Sequence, residues 1–278
     1  MAEIVGAFGT PHMPTAPGQV ARDGPSNEIG QIFDAIRQHV DAVDPDVLVI
    51  FDTDHFQTFF YDNLPTFCVG VAQHTYGPAE DVWPGLPSYD VQVDEALGRH
   101  LHRTGLEREF DLAVSQEFTV DHSIIVPLHF LSPAMRRPIV PVWINGIAPP
   151  FPRARRCHAL GQMVRAAIES WPTNQRVAIL ASGVFSGDVG GPHAREGDQT
   201  AQPDLEWTRF VQRRIANAEI PELLEAVTEE RLRAAGNVAG EMLNWIALLG
   251  AIGDRRPRTI ELEPGLRRGN AYAAWRWD

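Results

Sequence analysis

Two cysteines in 278 residues are too few for a disulfide framework, and neither has a Cys or His neighbour at zinc-site spacing. Cys68 sits in the apolar run Thr66-Phe67-Cys68-Val69-Gly70-Val71 and Cys157 in a basic, helical-looking segment; both are expected to stay reduced. No uninterrupted run reaches the roughly 18 apolar residues of a membrane helix, and the start, MAEIVGAFGTPHMP, lacks a basic stretch leading into a long apolar core. A cytoplasmic protein with no membrane partner is therefore expected. Basic residues are outnumbered: a formal net charge of −12, with no Lys/Arg-rich helix to offset it, repels a polyanion, so no nucleic acid partner is expected either. Internal repeats, low-complexity tracts and an interdomain linker are also missing.

What is present is an ordinary globular composition, 44% hydrophobic and 22% charged. Short β-like runs recur at Ile4 to Phe8, Val47 to Phe51, Phe67 to Val71, Ile139 to Ile144 and Val177 to Leu180. Helical spacing separates several of them, as in Ile29, Ile32, Phe33, Ile36 and Val40, or Leu160, Met163, Val164, Ala167 and Ile168. Strand runs without polar alternation, interleaved with amphipathic helices, predict an α/β fold whose sheet core is flanked by helices. Asp204 to Gly253 reads as consecutive helices, with Thr259 to Leu262 and Ala271 to Trp275 as closing strands. A single catalytic domain over residues 1–278 is the expectation.

Two histidines share an address. His12 follows the first strand run and Asp54-His55 the second, and open α/β sheets bind ligands outside the carboxyl ends of their strands. Imidazole is the commonest protein metal ligand, and Asp54 either orients the His55 ring or caps a turn. A third candidate is Glu241, on a helix that the sequence starts at an Asn237 N-cap; Val238, Met242, Trp245, Ile246 and Leu249 would place Glu241 on its apolar stripe. A buried carboxylate needs a raised pKa, an arginine or a cation. Two histidines and a carboxylate with open positions suit non-heme Fe(II); zinc accepts the same donors. His122, in Val120-Asp121-His122-Ser123, is a proton-transfer candidate or an incidental neighbour of an Asp helix cap.

These residues fall in blocks that resemble the class III extradiol ring-cleaving dioxygenases: Gly9 to Pro14, Pro45 to Gly70, Val120 to Leu128, Ile139 to Pro150 and Ala235 to Ala251, in the family's order along nearly the whole chain. The resemblance implies His12, His55 and Glu241 as ligands of Fe(II), His122 as a second-sphere histidine beside the O2 site, and a small aromatic diol and O2 as substrates. It also implies a homo-oligomer or a complex with a small lid subunit.

One position departs from the family. The block Ala181 to Gly187 usually ends in Ser-His, and that histidine is the family's base for a substrate hydroxyl; here the position is Gly187. Asp188 or His193 on the same loop can take over the proton. Alternatively, the substrate is more acidic than catechol, such as an amino-hydroxylated or heteroaromatic ring, or has a larger substituent that uses the space left by glycine. A Zn or Mn hydrolase on the same ligand triad, and an accessory subunit without ring-cleaving activity, are the rival readings.

Overall fold

The computed structural model describes residues 1–80, 83–189, 203–266 and 269–277. Its strands are β1 (Glu3–Thr10), β2 (Val47–Asp52), β3 (Phe67–Gly70), β4 (His74–Gly77), β5 (Tyr89–Gln92), β6 (Ala113–Ser115), β7 (Ile139–Ile144), β8 (Arg176–Ser182), β9 (Thr259–Leu262) and β10 (Ala271–Arg276). Its helices are α1 (Ala16–Asp23), α2 (Glu28–Val43), α3 (Glu95–Glu107), α4 (His122–Leu131), α5 (Ala154–Ser170), α6 (Leu205–Asn217), α7 (Ile220–Ala226), α8 (Glu229–Ala235) and α9 (Met242–Ile252). Eight strands form one sheet in the order β6-β3-β7-β2-β8-β1-β10-β9, while β4 and β5 pair as a separate antiparallel ribbon. The four central strands, β7, β2, β8 and β1, run parallel.

The sheet is buried on both faces, which is why its strands read as continuous apolar runs. Val47, Val49 and Phe51 of β2 join one core with Leu101 of α3, Leu160 of α5 and Trp245 of α9. Leu48 and Ile50 join the other with Phe33 and Ile36 of α2 and Ile124 of α4. Each such side chain contributes about 1.5–3 kcal/mol by leaving water. β4, β5 and β6 escape the sequence reading: they are only three or four residues long, β4 and β5 mix exposed and buried positions, and β6 has no buried position.

Helix α9 is buried along its whole length and crosses α5 at close range. A Cβ on Gly161 of α5 would lie 1.9 Å from the Ala247 carbonyl oxygen, and one on Gly250 would lie 2.0 Å from that of His158. Only hydrogen fits at these two crossings, so the helix pair fixes where α9 begins. Asn244 Nδ2 donates to the Ser182 carbonyl at 2.7 Å and Trp245 Nε1 to the Gly183 carbonyl at 3.0 Å, tying that beginning to the end of β8.

Here the sequence reading needs correction. Asn237 does not cap α9: a single tight turn over Ala239–Glu241 precedes the helix, which starts at Met242. Backbone pairing explains the difference. The Gly187 N–H donates to Ala235, the Val238 N–H to Gly187, and the Asn237 side chain bonds both the N–H and the carbonyl of Val189. Held against 187–189, this stretch cannot coil, and Glu241 stands at the boundary of an all-round apolar helix rather than on a stripe.

Candidate metal centre and its acid–base surroundings

The parallel strands deliver the side chains. His12 lies just past β1, His55 just past β2, and β8, paired with both strands, brings Ser182 into register with Thr10. His12 Nδ1 is 2.8 Å from Ser182 Oγ, and the hydroxyl donates its own proton to the Ser123 carbonyl at 2.5 Å. The hydroxyl oxygen therefore accepts from His12, which places the ring proton on Nδ1 and leaves the Nε2 lone pair free.

His55 is oriented by a carboxylate. Asp121 Oδ2 accepts from the His55 backbone N–H at 2.8 Å and from its Nδ1–H at 2.9 Å, while Asp121 Oδ1 accepts from the Ser123 N–H as the N-cap of α4. Ser123 Oγ also contacts Asp121 Oδ1 and lies 2.7 Å from Asp52 Oδ2. Burial, and then the charge of Asp121, push the Asp52 carboxyl well above its ordinary range. Asp121 moves the other way: burial is outweighed by His55, His122 and Ser123, so it stays ionised. With Asp52 neutral, one direction accounts for these contacts: Asp52 Oδ2 donates to Ser123, Ser123 to Asp121, and Asp121 accepts from His55. Asp54 plays no part in this chain; its carboxylate accepts from the Gln57, Thr58 and Phe59 N–H groups, forming the turn that follows His55.

Glu241 closes the site. Its Oε1 lies 3.1 Å from His55 Nε2, its Oε2 lies 3.5 Å from His12 Nε2, and Oε2 also accepts from the Val184 N–H at 3.1 Å. Burial raises its pKa, but His12 and His55 outweigh that and bring it to about 2. Burial likewise lowers His12, whereas Asp121 and Glu241 overcome burial at His55 and raise it well above 6.5. Without a metal, the raised His55 pKa keeps a proton on Nε2 facing Glu241 Oε1; a cation that displaces this proton would meet the two Nε2 atoms and the carboxylate together. Two imidazole nitrogens and a carboxylate are a donor set that fits a divalent metal.

His122, the first residue of α4, completes the cluster. One ring nitrogen from each of His12, His55 and His122 lies within 4.8 Å of the other two, a grouping that can hold a metal. The His55 and His122 rings stack with centroids 4.8 Å apart. Glu80, which sequence reasoning missed, holds His122: its Oε1 accepts from the His122 backbone N–H at 2.9 Å and contacts His122 Nδ1. Burial acts to raise Glu80, but the hydrogen bond and charge of His122 prevail and hold it below its ordinary range. No local pattern marks Glu80, which lies 42 residues before its partner.

Gly187 lies at φ +140°, and among the described residues a Cβ there would meet Val238 Cγ2 alone, at 3.9 Å. Asp188 is exposed, its Oδ1 accepting from the Asn237 N–H at 2.6 Å. His193 lies outside the described residues. Arg153, Arg155 and Arg156 form an exposed face on the opening turn of α5, with Arg156 stacked on Phe110.

Over residues 6–266 the chain matches the family described as the catalytic LigB subunit of aromatic ring-opening dioxygenase. It belongs to that family. Among curated relatives, a 2,3-dihydroxyphenylpropionate/2,3-dihydroxicinnamic acid 1,2-dioxygenase of Paraburkholderia phymatum is 29% identical over 275 residues, covering 85% of this chain and 84% of the relative. A protein of the same description from Mycobacterium sp. (strain MCS) is 36% identical over 170 residues, 59% of this chain and 52% of its own. The crystal structure of uncharacterized protein JW3007 from Escherichia coli K12 shares the fold, with a TM-score of 0.60 at 16% identity over 97% of this chain and 98% of that one. The protein is therefore a ring-opening dioxygenase that acts on an aromatic ring with O2, extradiol by family. Among the described residues no helix is long and apolar enough to cross a membrane.

Proposed function

We propose that the enzyme is Fe(II)-dependent, with the iron held by His12, His55 and Glu241, and that it opens a small aromatic ring bearing adjacent hydroxyls, or a hydroxyl beside an amino group or ring nitrogen. The observation that carries this reading is the convergence of His12 Nε2 and His55 Nε2 on the Glu241 carboxylate at 3.5 and 3.1 Å, with every Nδ1 proton already used. Ferrous iron bound there supplies a centre through which electron density passes from the diolate to O2. Glu241, at the start of α9, brings a negative charge that the helix dipole favours, so the three ligands carry one net charge against the metal's two. Asp121 keeps the His55 ring in the tautomer that offers Nε2, and Ser182 does the same for His12. His122 stands beside both rings, placed to exchange a proton with a substrate hydroxyl or with oxygen. Asp188 and His193 are the other candidates for the substrate proton, and Asp188 reaches it only by leaving Asn237.

The histidine trio favours one alternative, zinc on three nitrogens with His122 as a ligand. His122→Ala separates the two: the iron reading retains stoichiometric metal, and the zinc reading loses it. The main test is anaerobic reconstitution with Fe(II), followed by O2 uptake and product absorbance with 2,3-dihydroxyphenylpropionate, catechols, 2-aminophenol and hydroxypyridones. Equimolar O2 consumption and a ring-opened chromophore are expected; hydrolytic turnover without O2 on a zinc-loaded protein overturns the proposal. Both cysteines are buried and free, which suits a cytoplasmic setting. Assembly as a homo-oligomer or with a small lid subunit is read by light scattering of the chain alone and by its turnover without added partner.

A further inference from the structure

The reaction needs an acceptor for the substrate proton, and Gly187 leaves a gap where the resemblance expects a histidine. The acid–base groups on the other side of the site are unusually well built. Glu80 Oε1 meets His122 at two points, the backbone N–H and ring Nδ1, and also lies 3.4 Å from Trp83 Nε1. The Glu80 side chain is 14% exposed and that of His122 16%, so this is not a solvated surface pair. Among the described residues the buried Glu80 Oε2 has no hydrogen-bond partner, a desolvation that accompanies the placing of Oε1 on the ring. A carboxylate only accepts, so it fixes the His122 proton on Nδ1 and frees Nε2.

We propose that Glu80 is the positioning residue of the ring-opening reaction, gripping His122 at two points so that its Nε2 lone pair takes the substrate-hydroxyl proton in a chain with no side chain at Gly187. The inference rests on the function proposed above and adds to it where the proton goes. The substrate O–H bond breaks, its electron pair stays on oxygen, and an N–H bond forms at Nε2. The resulting imidazolium is stabilised by Glu80, and the proton is returned to an oxygen of the opened ring. Asp188 is less suited, being exposed and committed to the Asn237 N–H.

The test has one arm that needs no substrate. Protein labelled with 15N-histidine and loaded with Zn(II), a diamagnetic probe, is compared with Glu80→Gln and Glu80→Ala, with His122→Gln assigning the His122 signals. Wild type is expected to show Nδ1 protonated and Nε2 bare at His122, and Glu80→Ala a mixture of tautomers at unaltered melting temperature. A protonated Nε2 in wild type, or an unchanged pattern in Glu80→Ala, overturns the proposal. If Glu80→Ala fails to fold, Glu80→Leu, which fills the space but also lacks an acceptor, gives the same comparison.

The kinetic arm uses Fe(II) enzyme and 2,3-dihydroxyphenylpropionate. Glu80→Gln should lower kcat about 10- to 100-fold with little change in KM. The same substitution in a His122→Ala background should cost nothing further; an equal loss in both backgrounds shows that Glu80 does not act through His122 and overturns the proposal. Absence of turnover by wild type on any aromatic of the panel would instead count against the proposed function, while the tautomer measurement still decides the role of Glu80.

Discussion

The half of the site built by β2 and α4 differs in charge from the half built by β1 and β8. On the first, two imidazoles rest on ionised carboxylates, His55 on Asp121 and His122 on Glu80. On the second, His12 rests on the neutral hydroxyl of Ser182, and Gly187 has no side chain at all. A carboxylate partner makes an imidazole a richer electron donor and stabilises it when protonated, whereas a hydroxyl only orients it. The charged half is thus equipped to move protons and strengthen a metal bond. The neutral half is equipped to give way, because among the described residues a Cβ at Gly187 would find one atom within 4 Å.

The sharpest way to break this comparison is to remove the group that spans it. Glu241→Ala leaves two imidazoles with no charge to offset the metal's, and is expected to lower metal affinity by more than the roughly 100-fold that bounds outer-partner losses. Metal analysis after gel filtration and O2 uptake both check it; full metal occupancy in this variant would remove Glu241 from the ligand set. Next in size is Asp121→Asn, expected to weaken metal binding about 10- to 100-fold, against only about 5-fold for Ser182→Ala, which loses one neutral hydrogen bond. Chelator competition measures both. Equal losses would mean that the two halves differ in residue type but not in strength.

The sheet was legible because a two-sided core makes each strand an apolar run, as in Val47 to Phe51, and position after a strand end singled out His12 and His55. The structure places these two with Glu241 and His122. What stayed hidden was every partner on the far side of a ring. Asp121 read as a helix cap, which it is, but nothing local announces that its second oxygen serves His55 from 66 positions away. Glu80 lies before a proline-rich stretch with no periodicity to mark it. Asn237 misled because Asn followed by apolar helical spacing is an ordinary start signal, overridden here by backbone pairing with 187–189.

Gly187→His sharpens the comparison further, since it restores the side chain that the neutral half lacks. The described residues leave space, but φ +140° is a conformation that side chains adopt at a cost of about 1–3 kcal/mol. A melting temperature lower by roughly 2–8 °C and no gain in ring opening are expected. A faster variant would show that the glycine is merely a lost base.

The smallest effect is expected deepest in the charged half. Asp52 is buried, with Oδ2 on Ser123 and Oδ1 lacking a partner among the described residues, and burial beside Asp121 favours its neutral form. If it donates to Ser123 as a carboxylic acid, Asp52→Asn supplies an N–H in the same place, and ring opening should stay within about threefold. The pH dependence carries the sign. A carboxyl whose folded pKa is raised contributes its stability below the unfolded value of 3.8 and loses it as pH rises towards the folded value. The amide has no such dependence, so the melting temperature of metal-free Asp52→Asn should gain on wild type as pH rises from about 4 to 8. A constant difference across that range would mean that Asp52 is ionised in the fold and that the chain of donors runs the other way, from Ser123 to Asp52, leaving Asp121 to hold His55 alone.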